Sequence, residues 1–566
     1  MKRIRENQMI KVVLVCLGLV LPGGLPVSAQ TAGSPYLQLI ATNHGVRAQW
    51  DIAGYYYLLQ SSINLGATNA WIDEACASPV VASSAATFQY PNPIFGATNF
   101  TTNQIAYDLS LNESAKFFRM QPPHYLPLCS FAIFYLGPME FSQTATMIVN
   151  GPVYASGPIL VGTSASLTFN DVVTTSSTIS APFMDGLSSG WSPDSPAGWN
   201  TSFFGNPSTV TNVLPISPLI TATNFHAMID LPGPGETVSM DTNLAHLYYQ
   251  AEILVLVTND FGATGNSTVS VTLQNWSGGT LPGADPLPVV LVYTNVVSSP
   301  ALPFLSLTNR FYDQREYKTN LVTQIDVGRF ATWVATNSIV QSKLPSIYGI
   351  YPTVLYVADR RNHATNQMTC VRLMNGAQLP GNGGVGFTVV TPGPLYVWGN
   401  YNVQTAGSAA NASAGTTNIS STVPAALYSD ALTLLSSHWT DISSFTAYSQ
   451  SSVAFDAVDD TVNAVLVTGN MPSTDSSGTG FSGGVHNLAR FLEDWSNANL
   501  WLNTSLCRLW TSQTATNQFR NPAGFVTPPV NPYYNPPTRH YSYDPNLSNP
   551  AKIPPGVPII VNFGAE

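Results

Sequence analysis

The chain has 566 residues, of which 44% are hydrophobic and only 9% are charged, whereas about 25% of the residues in an average soluble protein are charged. Its net charge of -10 argues against a nucleic-acid partner, which requires a basic surface, and against attraction to an anionic membrane surface. Abundant Gly, Pro and aromatic residues favour strands and turns over charged amphipathic helices, so we expect a mainly β protein.

Residues 1–29 have the pattern of a secretory signal peptide. Four basic residues precede or border an apolar core at 12–21, and a small-residue site ends at Ala29. A retained anchor is the alternative, although the apolar run is short for a span of ~20 residues. No later segment is long and apolar enough to cross a bilayer. The sequence therefore predicts an exported chain, secreted or at the cell surface, with no membrane span after cleavage.

Four cysteines remain after such a cleavage, and an exported chain permits them to form disulfides in three alternative pairings. A buried free thiol is an equally good interpretation for each of them. None has CxxC or CxxH spacing, so no zinc site is predicted. These cysteines are Cys76, Cys129, Cys370 and Cys507.

Residues 30–122 predict a small β module. The segments 37–39 and 46–50 alternate as strands with one buried face do, and the double proline at 122–123 ends the module. Further along are Tyr-x-Leu-Gln-x-Ser at 57–62, Trp71 and Phe-Phe-Arg at 117–119. This pattern resembles a fibronectin-III-like module of the kind found in exported proteins of Planctomycetes and Verrucomicrobia. The resemblance implies a β-sandwich that serves as a spacer or docking module without catalysis.

Short strands and two helices are predicted in the remainder of the chain, residues 123–566. Strands are expected at 130–137, from 147 to 173, at 248–258 paired with 269–273, at 353–361 and at 370–374. The Pro- and Gly-rich stretch from 182 indicates an insertion around 182–310. Apolar spacing predicts helices at 327–334, capped by Asp326, and at 488–495, with Glu493 and Asp494 facing outward. Residues 425–435 fit either a buried strand or a helix.

A strand followed by a Gly-Asn corner recurs in this second part of the chain. Tyr-Val-Trp-Gly-Asn at 396–400 and Val-Leu-Val-Thr-Gly-Asn at 465–470 share it, and 147–154 holds a weaker copy. Gly and Asn tolerate positive φ, and repeated strand-corner units are typical of solenoids. We therefore predict a β-helix-like body, with structural corners at Gly399, Asn400, Gly469 and Asn470.

Several phrases between residues 126 and 561 together resemble one family, the large exported β proteins found with type IV pilus assembly genes. The phrases include Phe-Ala-Ile-Phe-Tyr at 131–135, Phe-Tyr-Asp-Gln-Arg-Glu at 311–316, Pro-Leu-Tyr-Val-Trp-Gly-Asn-Tyr-Asn at 394–402 and Gly-Val-His-Asn-Leu-Ala-Arg-Phe-Leu-Glu-Asp-Trp at 484–495. The resemblance implies a β-helix-like body and a role at the cell surface, with no catalytic residues to carry over. In this chain a signal segment and a β-sandwich stand where the family often has a pilin-like helix.

Two groups of charged residues are candidate chemical sites. The first group could hold Ca²⁺ through carboxylate oxygens, or could form a solvated acidic turn, which we favour because no Asp-x-Asp-x-Asp-Gly loop is present. The second group could contain a glycosidase-like acid pair, or an ion-pair network, which we favour because buried charges must pair. The first group is Asp456, Asp459 and Asp460, and the second is Asp313, Arg315, Glu316, Asp326, Asp359 and Arg361.

No nucleophile elbow, P-loop or dinucleotide-binding motif occurs in the sequence. We therefore expect no catalytic residue and no cofactor. The sequence predicts a non-enzymatic structural or adhesive protein of the cell surface, associated with a type IV pilus or a similar assembly, whose partners are other surface or pilus proteins. The alternative is a β-helix protein that binds or degrades an extracellular polysaccharide.

Overall fold

A computed structural model describes most of the chain beyond residue 123 and seven short strands before it. The predicted signal segment and Cys76 lie outside the described residues. The described residues are 38–42, 45–51, 58–62, 72–73, 80–81, 104–109, 117–121, 124–142, 146–162, 166–180, 201–213, 216–218, 225–234, 236, 246–259, 267–274, 289–294, 300–343, 352–380, 386–404, 412–449, 452–472, 484–517 and 533–562.

The chain divides into two compact units, residues 1–126 with 561–566, and residues 127–560. The division falls just after the predicted boundary at residue 122. Seven strands of the first unit are β1 (Gln38–Thr42), β2 (Gly45–Asp51), β3 (Leu58–Ser62), β4 (Ile72–Asp73), β5 (Val80–Val81), β6 (Gln104–Leu109) and β7 (Phe117–Gln121). They form two antiparallel sheets with strand orders β1-β2-β6-β5 and β4-β3-β7.

The rest of the described chain is also mainly β. Its strands are β8 (His124–Pro127), β9 (Ile133–Tyr135), β10 (Met139–Ser142), β11 (Met147–Val149), β12 (Val153–Ala155), β13 (Ile159–Gly162), β14 (Leu167–Phe169), β15 (Val173–Thr175), β16 (Ile179–Ser180), β17 (Thr201–Phe203), β18 (Thr209–Val210), β19 (Ser217–Pro218), β20 (Ile253–Asn259), β21 (Ser267–Leu273), β22 (Val289–Tyr293), β23 (Leu305–Ser306), β24 (Arg310–Asp313), β25 (Lys318–Asp326), β26 (Val354–Asp359), β27 (Gln367–Met374), β28 (Phe387–Val390), β29 (Leu395–Trp398), β30 (Ala425–Ser429), β31 (Leu432–Leu435), β32 (Asp460–Asn463), β33 (Val465–Thr468), β34 (Ala489–Phe491), β35 (Asn499–Thr504), β36 (Leu506–Arg508), β37 (Thr538–Tyr543) and β38 (Ile559–Asn562).

Helices are short and few among the described residues, and none of them is long and apolar enough to cross a membrane. The α-helices are α1 (Leu247–Gln250), α2 (Val327–Thr336) and α3 (Ser338–Lys343). The 3-10 turns are Leu128–Ser130, Phe225–Met228, Ser443–Phe445, Val453–Phe455, Val485–Asn487, Pro545–Ser548 and Pro550–Lys552.

The second unit begins with strands that repeat in register. Ile133, Val153 and Val173 occupy equivalent positions in the parallel strands β9, β12 and β15, at a step of 20 residues (133, 153, 173). The same step separates β10 from β13 and β11 from β14, which also pair in parallel. Each repeat therefore contributes one strand to each of three parallel sheets, and its apolar residues stack on those of the next repeat.

A single sheet of twelve strands extends through the unit in the order β18-β15-β12-β9-β36-β33-β30-β28-β26-β20-β21-β22. Its strands are parallel from β18 to β20, and β20, β21 and β22 are antiparallel. The pairing of β9 with β36 joins Ile133 to Leu506, so the early repeats and the end of the body meet in the middle of the sheet. The predicted pairing of 248–258 with 269–273 is confirmed by β20 and β21.

Parts of the predicted insertion at 182–310 belong to these sheets. Strand β17 pairs with β14, strand β18 pairs with β15, and β20 lies between β26 and β21. Strands β17 and β18 have only three and two residues, too few to give a periodic signal, whereas β20 and β21 are long enough to have been predicted. The described parts of 182–310 therefore continue the body.

A second sheet has the order β23-β25-β27-β29-β31-β34. It is parallel from β25 to β34 and carries β24 as an antiparallel neighbour of β25. Three further parallel strands, β32, β35 and β37, form a third sheet. The ambiguous segment 425–435 is two strands, β30 and β31, whose residues are all buried.

The helix predicted at 327–334 is confirmed by α2, and the Asp326 side chain accepts the hydrogen bond of the Arg329 amide at 2.9 Å. The helix predicted at 488–495 is wrong. Residues 489–491 are strand β34, which pairs in parallel with β31. Glu493 and Asp494 are also buried rather than outward-facing, because the segment lies inside the sheets, where apolar residues on all sides imitate a helical spacing.

Candidate functional site

Glycine is required at the two Gly-Asn corners for two different physical reasons. Gly399 has a φ of +77°, as predicted, and the Asn400 side chain accepts the Thr461 amide hydrogen bond at 2.9 Å. The prediction of positive φ at Gly469 is wrong, since no positive φ occurs there. A Cβ on Gly469 would lie 2.5 Å from Trp510 Cδ1 and 2.7 Å from the Asp430 carbonyl oxygen. Glycine is needed at 469 because Trp510 and the Asp430 backbone, from other segments of the same chain, approach it so closely.

Buried asparagines connect successive turns beside these corners. Asn470 Oδ1 accepts from Arg508 Nε at 3.1 Å. Asn402 Nδ2 donates to the Asn463 carbonyl at 2.7 Å, and Asn503 Nδ2 donates to Asn463 Oδ1 at the same distance. Asn402 adopts a φ of +57°. These amides satisfy buried backbone groups from turn to turn and leave little free chemistry at the corners.

The ion-pair candidates divide into separate local groups. Asp313 Oδ1 accepts the amides of Arg315 and Glu316, and its Oδ2 accepts the Tyr396 hydroxyl at 2.5 Å. Glu316 pairs with Arg490 at 2.6 Å, and all four of these charged residues are at most 3% exposed. Burial and the neighbouring Arg490 charge lower the pKa of the Arg315 guanidinium. The group joins the β24–β25 turn to a distant segment, since Arg315 Nε donates to the Asn517 carbonyl at 3.2 Å.

The other three members of that set lie in two more groups. Arg361 pairs with Asp359 at 2.6 Å, and Asp326 caps α2 and accepts from Asn375 Nδ2 at 2.8 Å. Sequence reasoning did not identify the partners Arg490 and Asn375, because each comes from a strand or turn far away in the chain. Every carboxylate of the set is therefore engaged by a fixed donor.

The acidic cluster at 456–460 contains both exposed and buried carboxylates. Asp456 and Asp459 are exposed, whereas Asp460 is 2% exposed. Asp459 Oδ1 accepts from the Asn499 amide at 2.7 Å, and Asp460 Oδ2 accepts from the Ser437 amide at 2.9 Å. No group of three or more His, Cys, Asp or Glu side chains within the described ranges is arranged to hold a metal ion.

Two buried carboxyls meet at the end of β31. Glu493 accepts hydrogen bonds from the Ser436 amide at 2.6 Å and from its hydroxyl at 2.7 Å, next to Asp460 on the Ser437 amide. Burial raises the pKa of Glu493 to about 8. Burial also raises the pKa of Asp460, to about 8. The hydrogen bond from the Ser437 amide lowers this pKa, whereas the charges of Glu493 and Asp459 add to the rise. The sequence missed this pair because Glu493 was predicted to face solvent.

A second unpredicted site joins His226 to two carboxylates. Its Nδ1 lies 2.8 Å from Asp230 Oδ1, and its Nε2 lies 3.1 Å from Asp430 Oδ1. Asp430 also accepts the backbone amides of residues 513, 514 and 515. Burial alone lowers the pKa of His226, but the hydrogen bonds to both carboxylates outweigh burial and raise the pKa to about 9. The site fixes three distant segments to one corner of the body.

The three described cysteines, Cys129, Cys370 and Cys507, are free and buried. Burial raises the pKa of each thiol, to about 12 in the case of Cys507. Thiols of this kind are weak nucleophiles, because only the thiolate is reactive.

Comparisons of the chain with protein-family models, with curated proteins and with solved structures gave no match in any of the three.

Proposed function

We propose that the chain is a non-enzymatic, exported structural or adhesive protein of the cell surface, associated with a type IV pilus or a similar assembly. Its second unit is, in this proposal, a β-helix-like solenoid. The observation that carries the proposal is the twelve-stranded sheet, in which strands repeat in register at a step of 20 residues in its first part. Stacked repeats produce an elongated body that suits a spacer or an extended binding surface.

The chemistry of the described residues supports a structural role. The carboxylates of Asp313, Glu316, Asp430 and Glu493 each accept at least two hydrogen bonds or pair with a cation. Large aromatic side chains such as Trp495 and Tyr356 lie in the interior. Groups engaged in this way hold distant segments of the chain together.

The proposal is tested on the native cells that produce the protein. Antibodies against the full chain should label the surface of intact cells or a surface fibre, and a deletion strain should lose the label together with adhesion or pilus assembly. Recovery of the protein in the cytoplasm, or a deletion strain with unchanged surface structures and adhesion, would contradict the proposal.

A polysaccharide-binding function is the second candidate, and one surface feature favours it. On the third sheet the Trp501 and His540 rings stack in parallel, with centroids 4.8 Å apart, and both are partly exposed. Asn499 lies beside them, and its Oδ1 accepts from His540 Nε2 at 3.0 Å. Aromatic and amide groups of this kind can bind sugars. Binding of the wild-type chain to a glycan array, with loss in Trp501→Ala, would support this function over a purely structural one.

A further inference from the structure

The loop between β31 and β32 is described at residues 436–449 and 452–459, and these residues expose an unusual amount of apolar surface. Ten large hydrophobic side chains are exposed in the described part of the chain, and four of them belong to this loop. Ile442 is 81% exposed and Val453 is 75% exposed. Isolated exposed hydrophobic residues are ordinary, but a cluster of them indicates an interaction site. The four residues are Ile442, Phe445, Val453 and Val458.

The backbone of this loop is held in place by its own interior contacts. Trp439 Nε1 donates to Asp441 Oδ1 at 2.9 Å, and Asp441 forms an ion pair with the buried Arg372. The Tyr448 and Phe455 rings pack with centroids 5.1 Å apart and join the two 3-10 turns of the loop. The loop supplies three buried aromatic side chains of its own, Trp439, Tyr448 and Phe455, while its other apolar side chains are exposed.

The two most exposed turns have defined orientations. Ile442 and Phe445 are three residues apart at a 3-10 turn, where positions i and i+3 lie on the same side. Val453 begins the second turn, whose Phe455 ring packs on Tyr448, three residues after the end of the first turn. The two described turns have a defined backbone, so they lose little conformational entropy on binding.

Acidic groups surround these apolar residues. The loop contains Asp441, Asp456 and Asp459 but no Lys or Arg, and the sequence from 373 to 489 contains neither. Asp456 and Asp459 are exposed, and Asp441 is already paired. One exposed base, Arg310, is on the adjoining strand β24, two residues from Tyr312, whose amide donates to Ser444 Oγ at 2.8 Å. The loop surface is therefore apolar with a net negative rim.

We propose that the described residues of this loop, 436–449 and 452–459, are a docking surface for a peptide segment of another exported protein, a segment with apolar side chains flanked by Lys or Arg. The apolar residues would be buried against Ile442 and Val453, and the basic residues would lie near Asp456 and Asp459. A second copy of this chain fits the acidic rim poorly, because each copy carries a net charge of -10. The exported location of the partner rests on the proposed function, whereas the surface chemistry does not.

The test uses the full chain and a displayed library of random 12-residue peptides as the probe. Peptides are selected on the wild-type chain and depleted on the Ile442→Ser/Val453→Ser double variant, and the enriched sequences are synthesised and titrated by fluorescence anisotropy. We expect enriched peptides to combine apolar residues with Lys or Arg. We expect their Kd to rise about tenfold or more for the double variant and severalfold for Asp456→Asn, as truncation of central interface residues does. Added salt should weaken binding.

The matched control is Val290→Ser/Val292→Ser, an exposed apolar pair on the edge strand β22, which should leave the Kd unchanged. Ile442→Ala alone should give a smaller loss of affinity, so the test stays valid if the double variant folds poorly.

Several results would overturn the inference. They are enrichment of acidic or uncharged peptides, equal binding by the double variant, and self-association or neutral-lipid binding that depends on Ile442. A chain found at the cell surface that selects no peptide refutes the docking surface alone, whereas a cytoplasmic chain refutes the proposed function.

Discussion

His226 and Asp430, 204 residues apart in the chain, are joined by a hydrogen bond of 3.1 Å between imidazole Nε2 and carboxylate Oδ1. Both side chains are at most 2% exposed, and Asp230 engages the other imidazole nitrogen. A protonated imidazole donates from both nitrogens, which is the form favoured by two carboxylate partners. The contact ties the 3-10 turn before the body's central strands to the corner between β30 and β31.

Replacement of His226 by Gln should destabilise the body at neutral pH. Asp430 would keep its backbone donors but lose a charged partner, and a hydrogen bond to a charged group contributes about 1.5–3 kcal/mol. Urea unfolding followed by tryptophan fluorescence would measure the change, because the Trp510 ring packs edge-on against the His226 ring at 5.6 Å. The matched control is the exposed His438→Gln, which should shift the transition by less than about 0.5 kcal/mol.

The contribution of His226 should depend on pH in a defined direction. Its folded pKa is raised to about 9 from 6.5, so the protonated imidazole stabilises the fold fully below pH 6.5, and this stabilisation is lost as the pH rises through 9. The difference between wild type and His226→Gln should therefore be larger at pH 6 than at pH 10. A difference that is constant or grows with pH would show that the imidazole is neutral in the folded chain.

Asp460→Asn should increase stability modestly at pH 5 and much more at pH 9. The folded pKa of Asp460 is raised to about 8 from 3.8, so its contribution is most favourable below pH 4 and is lost as the pH rises through 8. Its Oδ2 accepts from Ser437, while Oδ1 has no hydrogen-bond partner among the described residues, so an amide nitrogen can replace Oδ1. The gain at pH 9 should be at most about 6 kcal/mol, because the pKa rises by roughly four units at 1.36 kcal/mol per unit.

The exposed Asp456→Asn on the same loop provides the control for this experiment. It should change the free energy of unfolding by less than about 0.5 kcal/mol, as substitutions of exposed side chains usually do. If Asp460→Asn destabilises the chain equally at pH 5 and pH 9, the carboxylate is charged and partnered in the folded state, and the burial argument is wrong.

Sequence patterns predicted those parts of the fold that are local. The cap at Asp326 and the φ of Gly399 depend on residues within a few positions of one another, and β20 pairs with β21, the next strand along the chain. The pattern at 488–495 failed for a physical reason: apolar residues that are buried on both faces of a parallel strand carry no period of two. The spacing of apolar residues at 488–495 therefore indicated a helix, whereas pairing with β31 makes residues 489–491 a strand.

The candidate sites that sequence reasoning missed all depend on long-range contacts. Glu316 meets Arg490 across 174 residues, and His226 meets Asp430 across 204 residues, because the tertiary fold brings their segments together. These partners follow from the order in which the strands assemble, and no local pattern contains that order.

The Glu316–Arg490 pair should show strong coupling. Glu316→Gln would leave the neighbouring guanidiniums of Arg315 and Arg490 buried with less compensation, and breaking one side of a buried pair costs about 3–5 kcal/mol. Arg490→Met should cost a similar amount, and the double variant should cost less than the sum of the two, as measured by urea unfolding in a double-mutant cycle. Additive losses would mean that the two side chains act independently.

Gly469, Gly399 and Gly393 should differ in how they respond to alanine. Gly469→Ala should cost about 3 kcal/mol, because its Cβ would overlap Trp510 and the Asp430 carbonyl. Gly399→Ala should cost about 1–2 kcal/mol, the cost of a left-handed backbone for an ordinary residue. Gly393→Ala is the control, since the nearest atom to its Cβ would be 3.9 Å away.

Asparagine at the same positions separates the two causes. Asn tolerates left-handed φ, so Gly399→Asn should be less destabilising than Gly399→Ala, whereas Gly469→Asn should be more destabilising than Gly469→Ala, because its larger side chain has no space beside Trp510. Shifts in the urea transition of the full chain would measure all five variants. If Asn improves on Ala at both positions, backbone conformation controls both corners and the close approach at Gly469 is not limiting. If Asn improves on Ala at neither position, φ is not the constraint at Gly399.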